Sequence, residues 1–155
     1  MKKVFFILSA GLTLLITACN NSADKPVGNA EVKTKADTLM DEVMDGHDVG
    51  MGKMGKLTRT QQEITHLLDS ISKLPAKAQK AAAPYKVKLD SILSDVKSAN
   101  MAMDEWMQSF NMDSAINNTE ERIKYLGSEK IKVQNVKNAI LNSLQKADSV
   151  LKEKF

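Results

Sequence analysis

The chain has 155 residues, with 22 basic and 19 acidic side chains, and aromatic residues make up only 5% of it. This length suits one domain, and the near balance of charge gives no electrostatic footprint for nucleic acid, so we expect no nucleic-acid partner. The few aromatic residues and three prolines favour long helices over a strand-rich sandwich.

The N-terminal segment is organised like an export signal. Lys2 and Lys3 precede an uncharged stretch from Val4 to Ala18, which is shorter than the roughly 20 residues of a membrane span. It ends in Ile16-Thr17-Ala18-Cys19, which resembles the lipobox of bacterial lipoproteins. That resemblance implies cleavage before Cys19, a diacylglyceryl thioether on its sulfur and acylation of its new amino group. We therefore expect residues 1–18 to be a lipoprotein signal peptide and Cys19 to carry the membrane anchor.

Residues 19–30, which are polar and contain Pro26 and Gly28, are expected to form a flexible, lipidated tether. Cys19 is the only cysteine, so no internal disulfide can form and no thiolate remains for catalysis or metal binding. Acidic export signals for surface display follow the lipidated cysteine in bacteria related to Bacteroides, but this chain offers only Asp24 beside Lys25. We therefore expect a cell-envelope protein anchored to the outer membrane and facing the periplasm, with surface exposure as the open alternative.

Residues 31–155 carry three apolar stripes of helical period, which predict an all-α domain. The first stripe stops at Pro75, the second starts after Pro84, and the third begins near Thr119, where Asn118 suits an N-cap. Steps of three and four residues predict an elongated, coiled-coil-like antiparallel three-helix bundle, and a two-helix hairpin with a loosely attached third helix is the alternative. The first stripe is Met40, Met44, His47, Met51, Met54, Gln61, Ile64, Leu68, Ile71 and Leu74. The second is Leu89, Ile92, Val96, Ala99, Met103, Trp106, Met107 and Phe110. The third is Ile123, Leu126, Val133, Ile140, Leu144, Ala147 and Leu151.

Four glycines conflict with the first helix, because each costs about 1 kcal/mol relative to alanine in a helix interior. They are Gly46, Gly50, Gly52 and Gly55. Either the helix is broken there, or another element approaches its backbone closely. Such a local conflict often marks a functional site.

A methionine and histidine cluster is the main candidate site. Met40, Met44, His47, Met51 and Met54 share one arc of the first helix. On the second helix Met103 and Met107 share the apolar stripe, while Met101 and Met112 are expected to point away from it. A hairpin turning at residues 75–84 brings the two groups to one end of the bundle. It places Met107 opposite Gly52, Met103 opposite Lys56 and Phe110 opposite Val49.

Three interpretations of this cluster stay open. It is core packing, a soft-metal site, or a methionine-lined groove for a partner helix or an apolar ligand. Thioether and imidazole ligands suit Cu(I) or Ag(I), so one of these ions is the expected cofactor under the soft-metal interpretation. The candidate ligands are Met44, His47, Met51, Met54, Met103 and Met107, and Trp106 and Phe110 border them.

Other chemistry finds little support in the sequence. His66 falls off the apolar stripe and is expected on the surface, too far along the helix from His47 to share an ion with it. The acids around the cluster lack the loop spacing of a calcium site such as the EF-hand. No nucleophile elbow, zinc-protease motif, phosphate loop or dinucleotide fingerprint is present, so we do not expect an enzyme.

Two stretches, residues 39–57 and 99–110, resemble a group of small Bacteroidetes lipoproteins labelled "viral A-type inclusion protein". The resemblance covers most of the chain after Cys19 and implies export, lipidation and a helical domain, but no established activity. Gly52 departs from a proline that is common in the group. The recurring positions that this chain matches are Met44, His47, Met51, Met54, Trp106 and Met107.

Together these features predict a membrane-anchored envelope lipoprotein whose bundle is a non-catalytic structural or interaction module. Its expected partners are the membrane, through Cys19, and a protein at the methionine-rich end. Soft-metal binding at the methionine and histidine cluster is the alternative function.

Overall fold

The computed structural model describes residues 33–153, which form three α-helices. They are α1 (Lys35–Ser72), α2 (Ala76–Ser109) and α3 (Thr119–Leu151), and no strand occurs among these residues. Each helix packs against both of the others, so the third helix is not loosely attached. The prediction of an all-α three-helix bundle is confirmed. The predicted signal peptide, Cys19 and the tether lie outside the described residues.

α1 begins with a capping box. The Thr34 hydroxyl accepts a hydrogen bond from the Asp37 backbone N–H at 3.1 Å, and the Asp37 carboxylate accepts one from the Thr34 N–H at 2.9 Å. The helix then runs for 38 residues, a length of about 57 Å at 1.5 Å per residue. It stays continuous through all four glycines, so the first of the two alternatives, a local break, does not occur. The second alternative, a close approach, applies at Gly46 and Gly50.

α2 begins earlier than the sequence predicted. Pro75 is its N-cap and Ala76 its first residue, whereas Pro84 lies inside the helix. The prediction of a start after Pro84 was wrong because the alanine-rich segment before it has high helix propensity. Pro84 is exposed to solvent. The connection from α1 therefore has only three residues, 73–75, instead of about ten.

α3 begins where the sequence predicted. Residues 110–118 connect it to α2, and the Asn118 side chain caps it by accepting a hydrogen bond from the Glu121 N–H at 3.2 Å. Ion pairs join α3 to both of the other helices. Lys146 meets Asp95 on antiparallel α2 at 2.9 Å, and Lys56 meets Asp148 across parallel α1 and α3 at 2.7 Å.

The core follows a seven-residue repeat along α1. Its buried positions recur at Ala36, Val43, Gly50, Leu57, Ile64 and Ile71. The stripes predicted for α2 and α3 are buried over most of their length, including Leu89 and Val96 on α2 and Val133 and Ile140 on α3. The α1 stripe was placed correctly at Ile64 and Ile71 but not in its first half.

In that first half, the face buried against the other helices contains glycines instead of methionines. Gly46 and Gly50 are buried, while His47 lies half-buried beside them and Met51 is 39% exposed. The prediction was made from the positions of apolar side chains, so it selected the methionine face and overlooked the glycines, which have no side chain. The close helix contact that glycine permits determined the outcome instead.

Candidate functional site

The two buried glycines of α1 bring its neighbours close to the helix backbone. A Cβ atom on Gly46 would lie 2.9 Å from Val133 Cγ1, and one on Gly50 would lie 2.3 Å from Met103 Cε. Gly52 faces open space, since a Cβ atom there would have no neighbour within 4 Å, and Gly55 meets only the end of Arg59 at 3.6 Å. The close approach is therefore restricted to Gly46 and Gly50, where α3 and Met103 pack against α1.

Three of the six proposed metal ligands, Met44, His47 and Met107, line one surface pocket. Met103 is fully buried in the core, Met54 packs against the edge of the core, and Met51 is exposed on α1. The burial of Met103 and the packing of Met54 against the core favour the packing interpretation for these two residues. Met44, His47 and Met107 remain as candidates.

The register between α1 and α2 also differs from the prediction. The His47 and Trp106 rings lie 5.7 Å apart, and Met103 lies against Gly50. Lys56 was the expected neighbour of Met103, and its ammonium instead meets Asp148 on α3. The shift follows from the short turn at residues 73–75, which moves the hairpin's midpoint several residues toward the N-terminus.

A surface pocket forms where α1 meets the C-terminal end of α2. Its cavity of about 180 Å³ is lined by Met44, His47, Trp106, Met107, Phe110 and Met112. Met112 was expected to point away, but it lies beyond the end of α2, where helical periodicity no longer predicts direction. The pocket thus joins three thioethers, one imidazole and two aromatic rings. We call it the thioether pocket.

His47 is held in place by its neighbour on α1. Its Nδ1 lies 2.8 Å from Asp48 Oδ1, and its side chain is 22% exposed. A carboxylate can only accept, so Nδ1 is the donor in this pair and Nε2 carries the free lone pair of the neutral ring. The same arrangement of carboxylate and imidazole orients histidine ligands at metal sites.

One wall of the pocket belongs to a row of three aromatic rings. Trp106 stacks on Phe110 with 4.9 Å between centroids, and Phe110 stacks on Tyr125 of α3 at 6.2 Å. The Tyr125 hydroxyl accepts a hydrogen bond from the Asn111 N–H at 2.8 Å. These contacts connect the end of α2 to α3 and fix the wall of the thioether pocket.

Trp106 has a buried acidic partner that the sequence interpretation missed. Its indole N–H donates to Glu129 Oε2 at 3.0 Å, and the other Glu129 oxygen accepts from the Lys132 ammonium at 2.7 Å. Glu129 is 2% exposed, and its hydrogen bond raises the pKa of Lys132 above the usual 10.5. The only sequence signal was the position of Glu129 three residues after Leu126 and four before Val133, on the apolar stripe.

The remaining predictions on side chains near the site have mixed outcomes. Met101 is 56% exposed and points away, as expected, and His66 lies on the surface as expected. Within residues 33–153 no three or more His, Cys, Asp or Glu side chains are placed to hold a metal ion together. A site at this end of the bundle would therefore depend on thioether ligands.

Two further findings do not concern single side chains. None of the helices between residues 33 and 153 has a segment apolar enough, over sufficient length, to cross a membrane. No protein-family model, curated protein or solved structure matches the chain.

Proposed function

We propose that the protein is a lipid-anchored lipoprotein of the bacterial envelope, and that its helical bundle is a non-catalytic structural or interaction module. The observation that carries the proposal is the lipobox-like Ile16-Thr17-Ala18-Cys19 at the end of an uncharged stretch that follows two lysines. A folded unit of three packed helices follows it in the chain. Acyl chains contribute about 0.8 kcal/mol per buried CH₂, so two or more of them anchor such a unit without a basic patch.

The composition of the bundle supports a structural or interaction role. Its interior is apolar, and every buried side-chain nitrogen and oxygen among the described residues has a hydrogen-bond partner. Its buried acid, Glu129, is occupied on both oxygens by Trp106 and Lys132. Polar groups of the core thus support packing, and the side chains free to meet a partner lie on the surface.

The lipid anchor is tested by metabolic labelling with an alkyne-bearing fatty acid, followed by membrane fractionation. We expect the wild-type chain to incorporate label and to sediment with the outer membrane. Cys19→Ser should abolish the label and release the protein from the membrane fraction. Ser22→Ala, three residues away in the tether, is the matched control and should behave as wild type. Label that persists in Cys19→Ser would contradict the proposal.

The orientation is tested by adding protease to intact cells and to cells with a permeabilised outer membrane. A periplasm-facing bundle should be cleaved only after permeabilisation. Cleavage in intact cells would instead support surface display. Both outcomes leave the anchor at Cys19 unaffected, so the orientation and the anchor are tested separately.

A further inference from the structure

We propose that the thioether pocket binds one soft monovalent cation, Cu(I) or Ag(I), through the sulfur atoms of Met44, Met107 and Met112 and through Nε2 of His47. These four side chains line the same cavity. The inference goes beyond the structural or interaction role and does not depend on the lipid anchor. It also replaces the ligand set that spacing along the chain suggested, since Met112 enters and Met51, Met54 and Met103 leave.

The donor atoms determine the kind of ion. Thioethers and imidazole are neutral and polarisable, and such ligands select Cu(I) over Mg²⁺, Ca²⁺ or Zn²⁺, which favour carboxylates, thiolates or several imidazoles. None of the six side chains that line the pocket is acidic. A single positive charge is also the easiest to place among neutral ligands against an apolar wall.

His47 is arranged as a ligand. Asp48 accepts from Nδ1 at 2.8 Å, which fixes the ring orientation and leaves the Nε2 lone pair for an ion. Asp48 itself is exposed, with 72% of its side chain accessible, so its own charge stays solvated outside the cavity. It acts as a positioning residue for His47.

Met112 is held at the pocket although it follows the end of α2. The Arg122 guanidinium donates to the Met112 carbonyl at 3.1 Å and to the Ser114 carbonyl at 3.0 Å. Arg122 of α3 therefore holds the backbone here, while Met112 is 56% exposed to solvent. Met107 is 37% exposed at the same rim. Two such thioethers can close over an ion that enters from solvent.

Trp106 presents an oriented ring to the site. Its N–H is fixed by Glu129 at 3.0 Å, and Phe110 stacks on it at 4.9 Å, so its orientation in the wall of the pocket is set on two sides. The face of an indole attracts a nearby cation. Because Trp106 is the only tryptophan, its fluorescence reports specifically on this pocket.

The test is an anaerobic Cu(I) titration of the full chain in detergent against a chromogenic Cu(I) chelator, with Trp106 fluorescence recorded in parallel. Cys19→Ser serves as the background because it removes the only thiol. We expect one Cu(I) per chain and quenching of Trp106 at the same stoichiometry. Silver nitrate in chloride-free buffer should produce the same quenching.

Sulfur-removing variants locate the ligands. Met107→Leu combined with Met112→Leu should weaken Cu(I) binding by more than the roughly 10- to 100-fold typical of losing a group that only orients a ligand, and His47→Ala should do the same. Met51→Leu and Met101→Leu are matched controls, because both methionines are exposed but neither lines the pocket. Leucine keeps the apolar volume, and unchanged circular dichroism would show that each variant is folded.

Substitutions of Asp48 test separately whether its hydrogen bond positions His47 for Cu(I) binding. Asp48→Ala should weaken binding by about 10- to 100-fold with helicity unchanged, whereas Asp48→Asn keeps an acceptor for Nδ1–H and should retain most of the affinity. The proposal is overturned if the chelator retains all the copper, or if Met51→Leu weakens binding as much as the pocket variants. Binding without a change in Trp106 fluorescence would also overturn it, and would leave the pocket as a contact surface for a partner helix.

Discussion

Trp106 and Glu129 are joined across α2 and α3 by a hydrogen bond of 3.0 Å between two residues that are at most 5% exposed. The second Glu129 oxygen reaches the Lys132 ammonium at the surface. The carboxylate therefore links the interior of the bundle to its solvated side. Because the pair also orients the wall of the thioether pocket, it connects bundle stability with the candidate site.

Replacing Glu129 tests the value of this pair. Glu129→Leu leaves the Trp106 N–H buried without an acceptor, which we expect to lower the free energy of unfolding by about 1–3 kcal/mol. Glu129→Gln keeps an amide oxygen in place and should cost clearly less. Urea unfolding followed by circular dichroism measures both. Equal losses in the two variants would mean that the contact with Lys132, and not the indole hydrogen bond, is the stabilising one.

Alanine at the glycines of α1 should have opposite effects on the two faces of the helix. At Gly46 the new methyl meets the stiff Val133 side chain at 2.9 Å. Overpacking typically costs about 1–3 kcal/mol, which exceeds the gain of about 1 kcal/mol in helix propensity. We therefore expect Gly46→Ala to destabilise the bundle.

Gly52→Ala is the matched control six residues away, because nothing lies within 4 Å of its new methyl. It should raise the free energy of unfolding by about 1 kcal/mol. Thermal unfolding of both variants under one condition decides the matter. If Gly46→Ala is also stabilising, α1 and α3 are packed less closely than described.

Pro84 should weaken the first turns of α2. Proline inside a helix removes one backbone hydrogen bond and crowds the preceding turn, at a cost of about 3 kcal/mol in a typical interior. We expect Pro84→Ala to stabilise the protein by an amount up to that value and to slow amide exchange at residues 76–84. Pro75→Ala, at the N-cap, removes no helical hydrogen bond and should change little. A loss of stability in Pro84→Ala would contradict this account.

Acid should loosen the start of α1. The Thr34 hydroxyl, followed by the Thr34 backbone N–H, hydrogen-bonds the carboxylate and lowers the pKa of Asp37 below its usual 3.8. A pKa that is lowered by folding contributes stability above the unfolded value, and this contribution is lost as the pH falls through the folded value. The protection of the Asp37 and Thr38 amides against hydrogen exchange, relative to the intrinsic rate at each pH, should therefore fall below about pH 4. Thr34→Val should move the pKa of Asp37 upward in an NMR titration, and an unchanged pKa would contradict the assignment.

The apolar stripes of α2 and α3 were predictable because bulky side chains such as Leu89 and Val133 show the core directly. The buried face of α1 was not predictable in this way. Gly46 and Gly50 have no side chain, and they are buried because neighbouring side chains approach the helix backbone there. The occurrence of four glycines within residues 46–55 did indicate that another element approaches the α1 backbone closely. The sequence positions alone did not identify the residues that make this contact. Val133 and Met103 could be assigned only from the packed helices.

The candidate site was predictable in its location but not in its composition. Met44, His47 and Met107 do lie at one end of the bundle, whereas Met112 belongs to a loop that has no periodicity. The register depended on where α2 begins, and Pro84 concealed that start. Glu129 was missed because a charged residue is normally assigned to the surface.

The parallel arrangement of α1 and α3 has a consequence for the order of folding. The Lys56–Asp148 contact joins residues 92 positions apart, while each neighbouring helix pair is connected by a short turn or loop. Contacts so distant in sequence carry the largest loop-closure cost and tend to form late. The contact between Gly46 of α1 and Val133 of α3 would then form only after the rate-limiting barrier. A substitution at Gly46 should accordingly accelerate unfolding and leave the folding rate almost unchanged.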